Sequence, residues 1–460
     1  MNIKPCLLAL SIGACGWVTT PVYAAQTASS AVTTETNNTL TQLIETALVS
    51  DNIRRQFYTE AEAMRQTGVA RSTLMDPKLR VGVTGLPVDS FEFDQDPMTN
   101  ISLGIMQQFE RGNTLALQQT QANQQAQGLV VRVQAREQDI INNLTSVWLE
   151  LGFQQTAYHI MQQNRHLLTD MERFIQTNYG IGKSEAQDLL NAQLQVSRLD
   201  EKLQANQQMQ QKLTAQLSEW LGADWLRYAA QLDASNQLDW SYLEQWLTTA
   251  STSQHYYAEL SRHPNIRLID SAIEARRTQV DLAREAYSPQ FGVEVMYAYR
   301  QSNDMRGEPA SDLISAYLTM DLPLFTGNRQ DRNLSAAQYQ VGAAQSQKDT
   351  LLMQMNAKVN ALLVERGNLT QRLQRYQSTL LPQVTARVKA VERGYQNNTA
   401  QFNDVIMASN DELALQLEYQ RLLTDLNQVN NNLAELLSRY PYHVTQPALA
   451  VNPAQQQQGK

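Results

Sequence analysis

Apolar residues recur along this chain with two different periods. Four short stretches alternate. Leu79, Val81 and Val83 oppose Arg80, Gly82 and Thr84, and Ile101, Leu103 and Ile105 oppose Ser102 and Gly104. Phe291, Val293, Val295, Tyr297 and Tyr299 then oppose Gly292, Glu294, Ala298 and Arg300. A weaker fourth stretch sets Ile314, Ala316, Leu318, Met320 and Leu322 against Ser315, Thr319 and Asp321. A period of two predicts strands with one apolar and one polar face. Elsewhere the spacing is helical. From Asn113 to Gln176 and from Asn328 to Arg393 the breakers are isolated glycines and Pro382. About 65 helical residues would extend on the order of 95 Å. A heptad seam follows each long segment. It runs Leu189, Ala192, Val196, Leu199, Leu203, Leu213, Leu217 and Trp220, with Asn206 and Gln210 filling the polar steps. The second seam runs Val405, Ala408, Glu412, Leu415, Tyr419, Leu422, Leu426, Val429, Leu433 and Leu436.

These patterns occur twice, at an offset of about 212 to 216 residues, which is far longer than a solenoid unit. "NIR" at Asn52 recurs at Asn265, "DPKLRVGV" from Asp76 matches "SPQFGVEV" from Ser288, and Gly112 matches Gly327. "NYGIGKSEAQDLLNAQ" from Asn178 matches "GYQNNTAQFNDVIMAS" from Gly394, and "LSEWL" at Leu217 matches "LAELL" at Leu433. Each half therefore reads helix, strand, loop, strand, long helix, long helix. In "DLPLFTGNRQ", from Asp321, a strand runs into a helix, with Gly327 expected to permit the sharp backbone change. The strands suit either a sheet half-exposed to water or a membrane barrel, whose apolar face meets lipid. Four strands cannot close a barrel, since such barrels start at eight, so a barrel would require several chains.

Composition narrows the picture. Only 42% of the 460 residues are hydrophobic, which suits long helices with wet faces better than one large core. The net charge of −8, with no Lys/Arg-rich run, argues against a nucleic-acid partner. Residues 1–24 read as a signal peptide, with Lys4 before an apolar run and Val22-Tyr23-Ala24 as the cleavage site ahead of Ala25. "IGAC" at Ile12 to Cys15 offers a competing lipoprotein site. Both cysteines, Cys6 and Cys15, lie in this segment, so the mature chain from Ala25 would carry no disulfide. No later run has the roughly 18 apolar residues of a membrane-spanning helix.

No catalytic, metal or cofactor constellation is legible. "GKS" at Gly182 to Ser184 lacks the upstream glycine of a phosphate loop, Thr177 standing in its place. His159, His166, His255, His263 and His443 form no ligand-spaced cluster, and no nucleophile elbow appears. The expectation is a protein that is not an enzyme, either a transport channel or an exported periplasmic coiled-coil structural protein.

In their duplicated order, "GLPVDSFEFDQDPMTNISLGIMQQFERGN", "DLPLFTGNRQ" and the helix-turn pair "YGIGKSEAQDLLNAQ" and "GYQNNTAQFNDVIMAS" resemble the TolC family of outer-membrane efflux proteins, over about Leu40 to Arg439. The resemblance implies a mainly α fold with β. Four strands per chain would form a shared twelve-stranded transmembrane barrel in a homotrimer, and coiled-coil helices a periplasmic tunnel. It implies an outer-membrane location in a Gram-negative bacterium, in contact with lipid. The function implied is a passive exit channel for an inner-membrane pump of the RND type, joined by a periplasmic adaptor (membrane fusion) protein. The acidic "DSFEFDQDPMT" fits an extracellular loop and is similar to those of members paired with heavy-metal pumps. The expected divisions are 1–24 signal peptide, 25–39 N-terminal segment, 40–222 first repeat, 223–261 equatorial inter-repeat segment, 262–440 second repeat and 441–460 disordered Gln-rich tail.

Site residues follow from the same resemblance. The adaptor-binding tips would be Tyr179, Gly180, Ile181, Gly182, Lys183 and Ser184, and Tyr395, Gln396, Asn397, Asn398 and Thr399. The second tip lacks glycine, so unequal binding is expected. Family members narrow the closed pore with a ring of acidic side chains. Alignment puts Asp404 at the first aspartate position and Met407 at the second, and the internal repeat adds Asp188. The plainer alternative makes Asp404 and Asp188 first-turn carboxylates that complement a helix N-terminus.

Overall fold

A computed structural model describes residues 39–227, 232–250, 256–304, 306–397, 399–442, 444 and 446–449. The expected signal peptide, Cys15 and most of the Gln-rich tail lie outside the described residues. The first repeat comprises helix α1 (residues 39–50), α2 (Asn52–Arg71), strands β1 (Lys78–Thr84) and β2 (Asn100–Gln108), α3 (Thr114–Gly180) and α4 (Ala186–Leu221). A 3-10 turn (Ala223–Arg227), α5 (Ser241–Ala250) and α6 (Tyr257–Leu260) connect it to the second repeat. That repeat holds α7 (Pro264–Glu285), β3 (Gln290–Tyr299), β4 (Leu313–Asp321), α8 (Gln330–Arg375), α9 (Leu381–Gln396) and α10 (Phe402–Leu436). The duplication is visible in the element ends: Thr114 and Gln330, Gly180 and Gln396, and Ala186 and Phe402 each stand 216 residues apart.

The four strands form one antiparallel sheet in the order β1-β2-β3-β4. Its register gathers the alternating apolar residues on one face: Leu79, Ile105, Val295 and Ala316 form one cross-strand row, and Val81, Leu103, Tyr297 and Ile314 the next. This face is bare, with Val81 67% and Leu318 73% exposed, whereas Ser102 and Ala298 on the opposite face are buried. Arg80 and Glu294 pair at 3.3 Å on that opposite face. Among the described residues β1 and β4 each have one edge without a strand partner, and no helix is long and apolar enough to cross a membrane.

Near the sheet the helices pack in the sequence α2, α3, α7, α8; farther away α3 packs against α4 and α10, and α10 against α8 and α9. The predicted seams supply this contact. Leu199, Leu213, Leu217 and Trp220 of α4 are buried, as are Val405, Ala408, Leu422, Val429 and Leu433 of α10. A buried amide network joins the repeats: Asn431 Nδ2 donates to the Asn142 carbonyl at 2.9 Å and to Ser146 Oγ at 3.0 Å, while Tyr440 Oη donates to Asn431 Oδ1 at 2.8 Å. The inter-repeat segment packs against both halves, Trp225 in the first-repeat core and Trp240 and Trp246 in the second. Where it crosses α3, a Cβ on Gly152 would lie 2.3 Å from the Ser235 carbonyl carbon, so a larger residue cannot sit there without displacing backbone.

Three expectations need correction. Gly112 does adopt the left-handed conformation, at φ 46°, but Gly327 does not. The second junction is closed by hydrogen bonds, with the Arg329 and Asp331 amides both donating to the Thr326 carbonyl at 3.1 Å. The second long helix matches α3 in extent but is not uniform: α8 and α9 are joined by a π-helical turn at Tyr376–Leu380, just before Pro382. Proline removes a backbone donor and crowds the preceding turn, which is a recognised cause of such a local unwinding. The third concerns two residues of the stretch 441–460: Tyr442 and Val444 pack against the first-repeat core.

Candidate functional site

The two helix-turn motifs form the ends of the helical arms. In the first, Gly182 has φ 75°, the Lys183 amide donates to the Asn178 carbonyl at 2.8 Å, and the Gly182 amide donates to Tyr179 at 3.0 Å. These are the two bonds of a Schellman termination, which places glycine where a Cβ would be strained. Tyr179 and Ile181 are exposed on this tip, Gly180 and Lys183 with them, and Ser184 is half-buried before α4. In the second tip the Thr399 amide donates to the Gly394 carbonyl at 2.8 Å, the same spacing shifted by 216. Gln396 and Asn397 are exposed, and Asn398 lies outside the described residues.

Tyr395 is half-buried rather than free. Its ring stands 6.1 Å from Phe174 of α3 and 6.2 Å from Phe402 of α10. Burial pushes its hydroxyl above the usual tyrosine range, and the Asp188 charge adds to the shift. One tip residue and one candidate pore residue thus share an electrostatic environment.

Asp188 and Asp404 occupy the same place, the third residue of α4 and of α10. Asp404 completes a capping box: its Oδ2 accepts from the Gln401 amide at 3.0 Å, and the Gln401 side chain accepts from the Asp404 amide. Asp404 and Met407 are both exposed, and Asp188 is half-buried. The first-turn role is therefore real for Asp404, and its exposure leaves the carboxylate open to a second role. Sequence reading missed the ion pairs that clasp the arms. Arg165 pairs with Asp200 between α3 and α4, Arg387 with Asp411 between α9 and α10, and Arg421 reaches Glu150 of α3 at 2.6 Å. Their partners lie on different helices, so no local spacing announces them. Among the described residues no group of His, Cys, Asp and Glu is arranged to hold a metal ion.

The sheet with a bare apolar face, standing on helical arms that end in paired tips, is the arrangement found in solved bacterial channels. VceC of Vibrio cholerae superimposes with a TM-score of 0.71 over 88% of this chain and 97% of its own, at 17% identity. A membrane protein of Pseudomonas aeruginosa does so with a TM-score of 0.71 over 86% and 90%, at 16% identity. The CmeC outer-membrane channel of Campylobacter jejuni gives 0.68 over 91% and 88%, at 10% identity. This chain has the fold of an outer-membrane efflux channel. Residues 255–439, which take in most of the second repeat, also match the family model described as outer membrane efflux protein. A sequence comparison with curated proteins found no match. In this efflux-channel fold the sheet and the tips lie at opposite ends of the arms, as the sequence pattern required.

Proposed function

We propose that the chain is an outer-membrane exit channel of a tripartite efflux pump. Three copies would complete a barrel and a periplasmic tunnel that conducts substrate passively from an inner-membrane pump. The observation that carries this reading is the sheet: its apolar face is unburied and its two edges are unpaired. In lipid every backbone hydrogen-bonding group needs a partner, so a spanning sheet has to close. The RND-type pump, the adaptor at both tips and the gate formed by Asp404, Asp188 and Met407 belong to this proposal. If the carboxylates line a neck, they attract cations, while Met407 makes the same ring partly apolar.

Purified detergent-extracted protein should migrate as a heat-sensitive oligomer and give discrete conductance steps in planar bilayers. The coiled-coil structural alternative predicts a wholly soluble periplasmic protein with no conductance.

A further inference from the structure

The helices that open the barrel half of each repeat, α2 and α7, are both capped by a side chain that also reaches another helix. Asp51 caps α2: it accepts from the Arg54 amide at 2.7 Å and pairs with Arg136 of α3 at 3.0 Å. His263 caps α7: its Nδ1 accepts from the Asn265 amide at 3.2 Å, and its Nε2 lies 3.3 Å from Glu435 Oε1 of α10. The ring is 2% exposed, and Leu260 and Ile266 on either side of it in sequence are fully buried.

These contacts fix the state of the ring. A ring nitrogen that accepts from an amide carries no proton, so Nδ1 is bare and Nε2 holds the hydrogen donated to Glu435. A protonated imidazole has two donors and no acceptor, and its charge at a helix N-terminus is opposed by the helix dipole. One added proton therefore removes the α7 cap and leaves the bond to Glu435 in place. The first repeat gives the same task to an aspartate, a residue type that ordinarily titrates near pH 4, whereas imidazole ordinarily changes charge between about pH 5 and 8.

The groups facing this ring come from several elements. Glu435 belongs to α10, and Asp139 and Arg136 to α3. Burial first and Glu435 second push the Asp139 carboxyl up, while Arg136 and His263 pull it back. Tyr440, beyond the end of α10, also feels the Glu435 charge. Arg366 of α8 is turned to Asn430 and Glu244, and Arg267 of α7 donates to Gln134 Oε1 at 2.8 Å. The carboxylates favour an imidazolium, and the cap opposes it.

We propose that His263 is a proton-operated cap at the joint between the inter-repeat segment and the second repeat. Neutral, it closes the first turn of α7; protonated, it releases the Asn265 amide and stays with Glu435. Acid thus loosens the entry to one repeat and leaves the entry to the other closed. The device acts within one chain and does not rest on the channel reading.

Hydrogen exchange of the full chain purified in detergent tests this, followed by mass spectrometry over a series from about pH 5 to 8, which brackets the ordinary histidine range. Labelling times are scaled to the intrinsic exchange rate at each pH. After scaling, peptides covering the first turn of α7 are expected to exchange roughly fivefold faster at the acid end, the worth of one lost helix cap. Peptides covering the start of α2 should not change. His263→Asn supplies a cap that does not titrate and should keep exchange slow throughout. Glu435→Gln retains an acceptor without its charge and should move the opening to lower pH, because the imidazolium loses its partner. Equal scaled exchange across the series in the unmodified protein, as for a cap with no switching role, would overturn the proposal. So would a pH dependence that persists in His263→Asn, that appears equally at the start of α2, or whose midpoint Glu435→Gln leaves in place.

Discussion

Asp404 shows how one carboxylate can carry two requirements. It caps α10 through the Gln401 amide, and it remains exposed beside Met407. Alanine would remove both properties at once and confound them. Glutamine at the third helical position can still reach back to the preceding backbone, as capping boxes allow, but carries no charge. Asp404→Gln is therefore expected to keep the oligomer intact while weakening cation preference and multivalent-cation block in planar bilayers. Adding Asp188→Gln should deepen the effect. Unchanged selectivity and block in the double variant would confine both carboxylates to helix termini. Asp139 presents a different case at the same scale. Burial, reinforced by the Glu435 charge, raises its carboxyl above the ordinary value of 3.8, although Arg136 and His263 pull it back. A raised pKa in the folded state favours the protonated form. Its stabilising contribution is thus present below the unfolded pKa and is lost as pH rises through the folded one. Asp139→Asn should accordingly raise the unfolding temperature at neutral pH, by an amount that shrinks toward about pH 4. A constant gain across that range would contradict the assignment.

At the scale of elements, the strands are where sequence and structure agree most closely. Alternation predicted which side chains share a face, and the register places Leu79, Ile105, Val295 and Ala316 in one row. Val295→Arg should therefore impair assembly, since arginine on a lipid-facing strand costs about 2–4 kcal/mol near the midplane. Glu294→Arg alters the opposite face, where an ion pair with Arg80 already stands. Equal recovery of heat-sensitive oligomer from both variants would refute the facing. The heptad seams were legible for a similar reason, because burial repeats with helical period. Other features left little local trace. Gly152 looks like any helical glycine until Ser235 and Asn236 are found against it. Arg421 cannot be paired with Glu150 from sequence spacing. The partners of the His263 ring depend on rotamer and neighbours together. Gln401 and Asp404, three residues apart before an apolar run, were a signal that could have disclosed the capping box.

For the whole molecule, on the proposed channel reading, the edges of β1 and β4 that lack a strand partner among the described residues call for further copies. Three strand spacings separate those edges, about 14 Å, well beyond the roughly 7 Å limit for Cα atoms joined by a disulfide. Both native cysteines lie within the first 15 residues, so the chain offers a clean background for cross-linking. Val81→Cys combined in turn with Ile314→Cys, Ala316→Cys or Leu318→Cys should yield a covalent trimer on a denaturing gel in at least one register. Monomer in every combination, from protein that otherwise assembles, would reject closure through these edges.

The pairing of β2 with β3 joins Ile101 to Tyr299, residues from opposite halves of the chain. Contacts that far apart in sequence form slowly, because a long loop has to close before they contribute. The helices need no such wait, since each forms its own backbone bonds. During synthesis the β1–β2 hairpin is complete long before its partner strand exists, and its apolar face has no sheet to join. The order of folding expected from this topology runs from the arms toward the sheet, and on the proposed channel reading entry into lipid would be a late event that waits until both repeats have been made.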